Sequence, residues 1–235
     1  MENEYNSLEN ETEYPKLTKI NSYTSSHKYL FRICLIGDSG VGKTSILSKY
    51  VKGIFPVAPP PTIAIEFATK IIQIKEGGYI KAQIWDSAGQ ERYKAIVAGH
   101  YRRAAGALIV YDVTKKSTFE HVTNWLKNIK EMAEKNCISY LIGNKIDLLD
   151  YNENNRDVSI EEAQKFAKEN GLKFYETSAF NSVRINDCFE DLLQEIYNER
   201  RKIKGNVNEP IDKSAKILYL NKPNEDNEKK FAGCC

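Results

Sequence analysis

Residues 29–52 read YLFRICLIGDSGVGKTSILSKYVK: a run of β-formers, a glycine-bearing loop, then residues with helical spacing. The loop GDSGVGKT (37–44) matches G-x-x-x-x-G-K-[ST], and it stands between a strand and the start of a helix, the setting that gives the pattern its meaning. Successive backbone N–H groups of such a loop wrap phosphates, and Gly40 and Gly42 permit the tight approach. Lys43 would reach the β- and γ-phosphates, and the Thr44 hydroxyl would bind Mg²⁺. This implies a nucleoside triphosphate and leaves the base open.

The same alternation runs on to about residue 200. Short β-rich runs lie at 29–36, 66–74, 79–85, 106–112, 138–143 and 172–177. Helical spacing marks SILSKYVK, STFEHVTNWLKNIKEMAEK, SIEEAQKFAKEN and NDCFEDLLQEIYNERRK. Strands separated by helices imply βαβ units and a mainly parallel sheet covered on both faces. Only KEGG (75–78) separates the second run from the third, which reads as an antiparallel hairpin. The expected fold is therefore α/β, with six strands, five parallel and one reversed at an edge. Residues 1–27 read as a flexible polar arm, 28–203 as the folded domain and 204–235 as a flexible tail, with NENNRD (152–157) a solvated loop.

Composition narrows the classes. A net charge of +2 with no Lys/Arg stripe argues against nucleic acid as a partner. No stretch approaches 18 apolar residues. The opening MENEYNSLENETEYP is acidic and polar, unlike a secretory or transit signal, and it carries Glu2 where myristoylation needs a glycine. Of five cysteines, Cys34, Cys137 and Cys188 stand singly among apolar residues and read as buried free thiols. His27, His100 and His121 have no metal-ligand spacing and receive no role.

The base is read from GNKIDL (143–148), after the fifth run. A carboxylate at Asp147 can accept hydrogen bonds from the N1–H and 2-amino group of guanine, whereas adenine lacks that donor pair and leaves the carboxylate unsatisfied. Asn144 and Lys145 would pack this pocket, and ETSA (176–179) would complete it through the backbone of Ser178 and Ala179. WDSAGQE (85–91) ends the third run. Asp86 there can hold Mg²⁺ through water, Gly89 can bring its N–H to the γ-phosphate, and Gln90 can orient the attacking water as the catalytic residue. Thr62, before the second run, could meet Mg²⁺ and the γ-phosphate. Loops at 53–66 and 87–100 would order with GTP and loosen after hydrolysis.

Together with IAIEF, KAQIWDSAGQE, HYRRAAGAL and LIVYDVT, these motifs resemble the Ras superfamily, and within it the Rab family of membrane-traffic GTPases. EFATKIIQI, KAQIWDSAGQERYKAI and ENGLKFYETSA are most similar to the recycling-endosome (Rab-eleven) branch. The resemblance covers about 28–200 and implies a P-loop G domain that binds GTP/GDP with Mg²⁺ and hydrolyses GTP slowly, since no residue stands as an arginine finger. It implies nucleotide contacts from Ser39, Val41 and Ser45 beside the residues named above, and from Phe180 after ETSA. It further implies an exchange factor, a GTPase-activating protein, a GDP-dissociation inhibitor, an escort protein and effectors at the switch loops. The terminal Cys234 and Cys235 would carry two prenyl chains that hold the protein to the cytoplasmic face of recycling-endosome, Golgi or vesicle membranes. Two chains are what stable anchoring requires, because one binds only reversibly.

Three positions depart from the family. Ser87 replaces the usual Thr, Ala64 replaces a Gly, and PVAPPPT (56–62) replaces mostly polar residues, which suggests a stiffer first switch. A GTP-loaded platform that does not hydrolyse, and an ATP-dependent P-loop kinase, stay open as alternatives. The intact Gln90 argues against the first, and the otherwise unexplained Asp147 against the second.

Overall fold

A computed structural model describes residues 29–57, 62, 65–76, 78–87, 101–150 and 155–204. The expectations for the N-terminal arm, the C-terminal tail with Cys234 and Cys235, the prolines at 59–61, Ala64, Gly89 and Gln90 lie outside them. Six strands form one sheet: β1 (Tyr29–Ile36), β2 (Ile65–Gln73), β3 (Tyr79–Ser87), β4 (Gly106–Asp112), β5 (Ile138–Asn144) and β6 (Lys173–Thr177). The order across it is β2-β3-β1-β4-β5-β6. β1 runs parallel to β3 and β4, β4 to β5 and β5 to β6, while edge strand β2 pairs antiparallel with β3. Five parallel strands and one reversed edge strand are what the alternation and KEGG imply.

Period-two geometry explains why β4, and β1 after Arg32, look hydrophobic without interruption. Ile33, Leu35, Leu108, Val110 and Ile142 face one layer, packing with Ile46 and Tyr50 of helix α1 (Lys43–Lys52) and with Phe189, Leu192 and Ile196 of α5 (Ile185–Lys204). Their neighbours Cys34, Ile36, Ala107, Ile109 and Leu141 face the other. There they meet Phe119 of α2 (Lys116–Glu120), Leu126 and Ile129 of α3 (Val122–Met132), and Ala163 and Ala167 of α4 (Ile160–Asn170). β4 and the second half of β1 are buried on both faces, so alternation vanishes from their sequence. Ser159 caps α4 by accepting from the Glu162 N–H at 3.1 Å, the first half of the Ser-x-x-Glu signature in SIEE.

The stretch at 117–135 differs from its reading as one helix. It breaks at His121, whose side chain bonds to Asp38 (below), and it stops at Met132. Beyond that, Glu134 leaves the helical path to pair with Arg200 of α5. Cys34, Cys137 and Cys188 are free, and burial pushes each thiol up to about 12, which disfavours the thiolate.

Candidate functional site

Apart from Thr62, which precedes the antiparallel strand β2, the motif residues described lie at the C-terminal ends of the parallel strands, where an open α/β sheet leaves a crevice. β1 ends at Ile36 and the loop 37–42 turns the chain into α1. Gly42 takes φ +98°, and a Cβ there would lie 2.4 Å from the Asn144 amide, so only glycine fits. No side chain caps the N-terminus of α1 and no acidic residue sits in its first turn, which leaves its orphan N–H groups available to an anion. Lys43 lies buried beneath the loop and donates to the carbonyls of Gly37 (2.8 Å) and Asp38 (2.7 Å). Burial lowers its ammonium to about 8 against the opposing pull of Asp86 and Asp38. Ser39 and Gly40 are exposed at the mouth, whereas Val41 and Ser45 are buried below it.

Beside this cradle three oxygen-bearing side chains from distant segments converge. The Thr44 hydroxyl donates to Asp86 Oδ2 at 2.5 Å and lies 3.0 Å from the Thr62 hydroxyl. Asp86 Oδ1 is buried without a hydrogen-bond partner among the described residues, and burial pushes the carboxyl up to about 6. Two hydroxyls and a carboxylate with an unsatisfied oxygen fit a hard divalent cation such as Mg²⁺. Ser87 points away, donating to the Leu35 carbonyl at 2.9 Å, so its hydroxyl serves the sheet.

The other end is tied to the cradle by Asn144. Its Nδ2 donates to the Val41 carbonyl at 2.9 Å, while its Oδ1 accepts from Thr177 Oγ1 (3.2 Å) and the Ala179 N–H (3.3 Å). Lys145 adopts φ 74° and sends its ammonium to Asp112 Oδ2, 2.6 Å away. Ser178 Oγ donates to Asp147 Oδ1 at 2.6 Å, which ties the carboxylate of GNKIDL to the ETSA segment. Phe180, half exposed, meets Phe55 edge to face with ring centroids 5.2 Å apart. Arg156 grips Glu176 with two hydrogen bonds, at 2.6 and 3.2 Å, and so braces the strand that leads into ETSA.

Several of these residues escape the sequence reading. Asp112 ends β4 as Asp86 lies near the end of β3, so the same strand-end rule would have found it. Phe55 carries no motif, only an aromatic placed between Gly53 and Pro56. Asp38, in an unspecified position of the loop motif, accepts from His121 and Trp125, which share a face four residues apart.

A phosphate cradle whose floor is bonded to an N-K-x-D pocket defines a P-loop domain that binds guanine nucleotides. Residues 32–198 match the family model described as Ras family. The chain is 44% identical to Ras-related protein YPTC6 of Chlamydomonas reinhardtii over 212 residues, 89% of this chain and 96% of that one. It is 48% identical to Ras-related protein RABA2a of Arabidopsis thaliana (73% of this chain, 76% of that one) and 41% identical to RABA4b of the same plant (88% and 92%). The chain belongs to the Ras family, as a small GTPase of the Rab type: a GTP hydrolase that regulates vesicle trafficking. Such proteins work with regulators and effectors at intracellular membranes.

Proposed function

We propose that this GTPase cycles as a Mg²⁺-dependent switch whose on-state is registered by Thr62. The observation that carries the reading is the meeting of Thr62 with Thr44 at 3.0 Å, beside the 2.5 Å bond from Thr44 to Asp86, which brings the first switch onto the phosphate loop across 18 residues of chain. Thr44, Thr62 and Asp86 would hold the cation, which when bound neutralises charge on the β- and γ-phosphates. Lys43 and the loop N–H groups, with Ser39, Gly40, Val41, Gly42 and Ser45 shaping the cradle, hold the phosphates. Asn144, Lys145, Asp147, Ser178, Ala179 and Phe180 hold the base. Gln90 orients water and Gly89 contacts the γ-phosphate; since no residue of the sequence stands as an arginine finger, hydrolysis is slow until a GTPase-activating protein adds an arginine, worth about 10³–10⁵ in rate.

Prenyl groups on Cys234 and Cys235, at the end of the 204–235 tail, anchor the domain to recycling-endosome or exocytic membranes. An exchange factor, a GDP-dissociation inhibitor, an escort protein and effectors complete the cycle. Single-turnover hydrolysis by the wild type and Gln90→Leu tests the switch: slower turnover in the variant is expected, and an unchanged rate overturns the role of Gln90. Imaging Cys234→Ser/Cys235→Ser in cells tests the anchor: release to the cytosol is expected, and retention on membranes overturns it.

A further inference from the structure

Asp38 does two things at once. Its backbone carbonyl accepts from Lys43 at 2.7 Å, so the position of the residue sets where the phosphate-binding ammonium sits. Its carboxylate is gripped from outside the loop: Oδ1 accepts from Trp125 Nε1 at 2.7 Å and Oδ2 lies 2.6 Å from His121 Nδ1. The two partners arrive from the α2–α3 junction, where the helix break leaves His121 as the residue whose carbonyl accepts the Trp125 N–H at 3.2 Å. Both oxygens of one carboxylate are thus committed to one helix start, by donors 83 and 87 residues away in sequence. Asp38 is only about one-fifth exposed, and the imidazole edge is open to solvent.

We propose that His121 is a positioning residue for nucleotide retention, clamping the phosphate loop through Asp38 together with Trp125, and that its protonation tightens the clamp. The proposal rests on residues 37–44 holding the phosphates. A charge-assisted hydrogen bond to a carboxylate is shorter and stronger than a neutral one. Deprotonation therefore weakens the contact while leaving the indole bond in place. The groups facing His121 among the described residues are Asp38 from the loop and Glu120 from the end of α2, with Lys43 behind Asp38. The hydrogen bond and charge of Asp38, with a smaller contribution from Glu120, raise the imidazole above its ordinary value. The clamp is then complete below about pH 6.5 and fades as pH rises through the raised value. Because His121 is largely exposed, the effect is small: release should be about two- to five-fold faster at the higher pH.

The test is release of a fluorescent GDP analogue from the Mg²⁺-loaded full chain, chased with unlabelled GDP at about pH 6 and about pH 8, either side of the imidazole's ordinary value. Wild type, His121→Asn, His121→Arg and Trp125→Phe are compared. The wild type should release faster at the higher pH, H121N fast at both and H121R slowly at both. W125F should release faster throughout while keeping its pH dependence. Any slope that H121N shares with the wild type belongs to Lys43, Asp86 or the nucleotide, so the difference between the two proteins is the reading. Equal slopes in wild type and H121N overturn the clamp and leave the phosphate loop intact. A wild type that fails to retain the analogue overturns the phosphate-loop assignment itself, and the clamp with it.

Discussion

At the base end of the site Asn144 makes three hydrogen bonds within the protein, Lys145 pairs with Asp112, and Asp147 holds Ser178. At the phosphate end Asp86 keeps a buried oxygen without a partner among the described residues, and Lys43 keeps a charge that burial disfavours. These contacts close within the protein and contribute to the fold's own stability. The phosphate end instead holds desolvated charge, the Asp86 carboxylate and the Lys43 ammonium. On the assignment proposed above, base recognition falls where the protein satisfies its own groups, and the phosphates and cation fall where it does not. A polar group in low dielectric is costly alone and strong once paired.

The sharpest way to test this division is Asp147→Ala. A site that hydrogen-bonds its substrate rejects analogues lacking those groups by about 10⁴-fold, so titration with GDP and ADP should show the wild-type preference collapsing to within about tenfold. A preserved preference would move base reading away from Asp147. Next in size is ligand stabilisation. Mg²⁺ and GDP at about 1,000 times Kd should add about 4 kcal/mol, or about 8–16 °C in Tm for a domain of this size. Asp86→Ala should lose the Mg²⁺-dependent part of that shift while the nucleotide-free variant melts no lower than wild type. A large loss in the nucleotide-free protein would mean the phosphate end is not strained after all.

Asn144→Ala should behave in the opposite way. It strips partners from Val41, Thr177 and Ala179, and denaturant unfolding without nucleotide should show a loss of about 3 kcal/mol at about 1 kcal/mol per bond. A loss near zero would erase the contrast between the two ends. The smallest effect is expected from Phe180→Ala, which removes the edge contact with Phe55. An aromatic pair of this kind contributes about 1 kcal/mol, read as a several-fold weaker GDP affinity.

Much of this is legible along the chain, for a local reason. The β-rich runs lie within about two residues of the ends of all six strands, because a buried strand between glycine-rich turns is marked by its own residues. The phosphate loop and GNKIDL are legible because each gathers its groups within one turn of backbone. The break at His121 is not. Its neighbours keep helical spacing, and the residue its side chain bonds to lies 83 positions away. Asp38 gives no signal because the motif leaves its position free. Phe55 gives none because an aromatic before a proline means little until Phe180 is set against it.

By itself, then, the sequence determined the α/β alternation, the hairpin that reverses β2, and the chemistry available at each strand end. These depend on backbone propensity and near neighbours. Tertiary structure alone decided that Asn144 would join Val41 to Ala179, that Thr62 would lie against Thr44, and that one carboxylate in the phosphate loop would be held by a histidine and a tryptophan. Those contacts exist because the ends of the parallel strands, and the start of the reversed strand β2, bring loops from distant parts of the chain to the same edge of the sheet. Hydrogen bonds reach only about 3 Å, so nothing short of that arrangement can specify them.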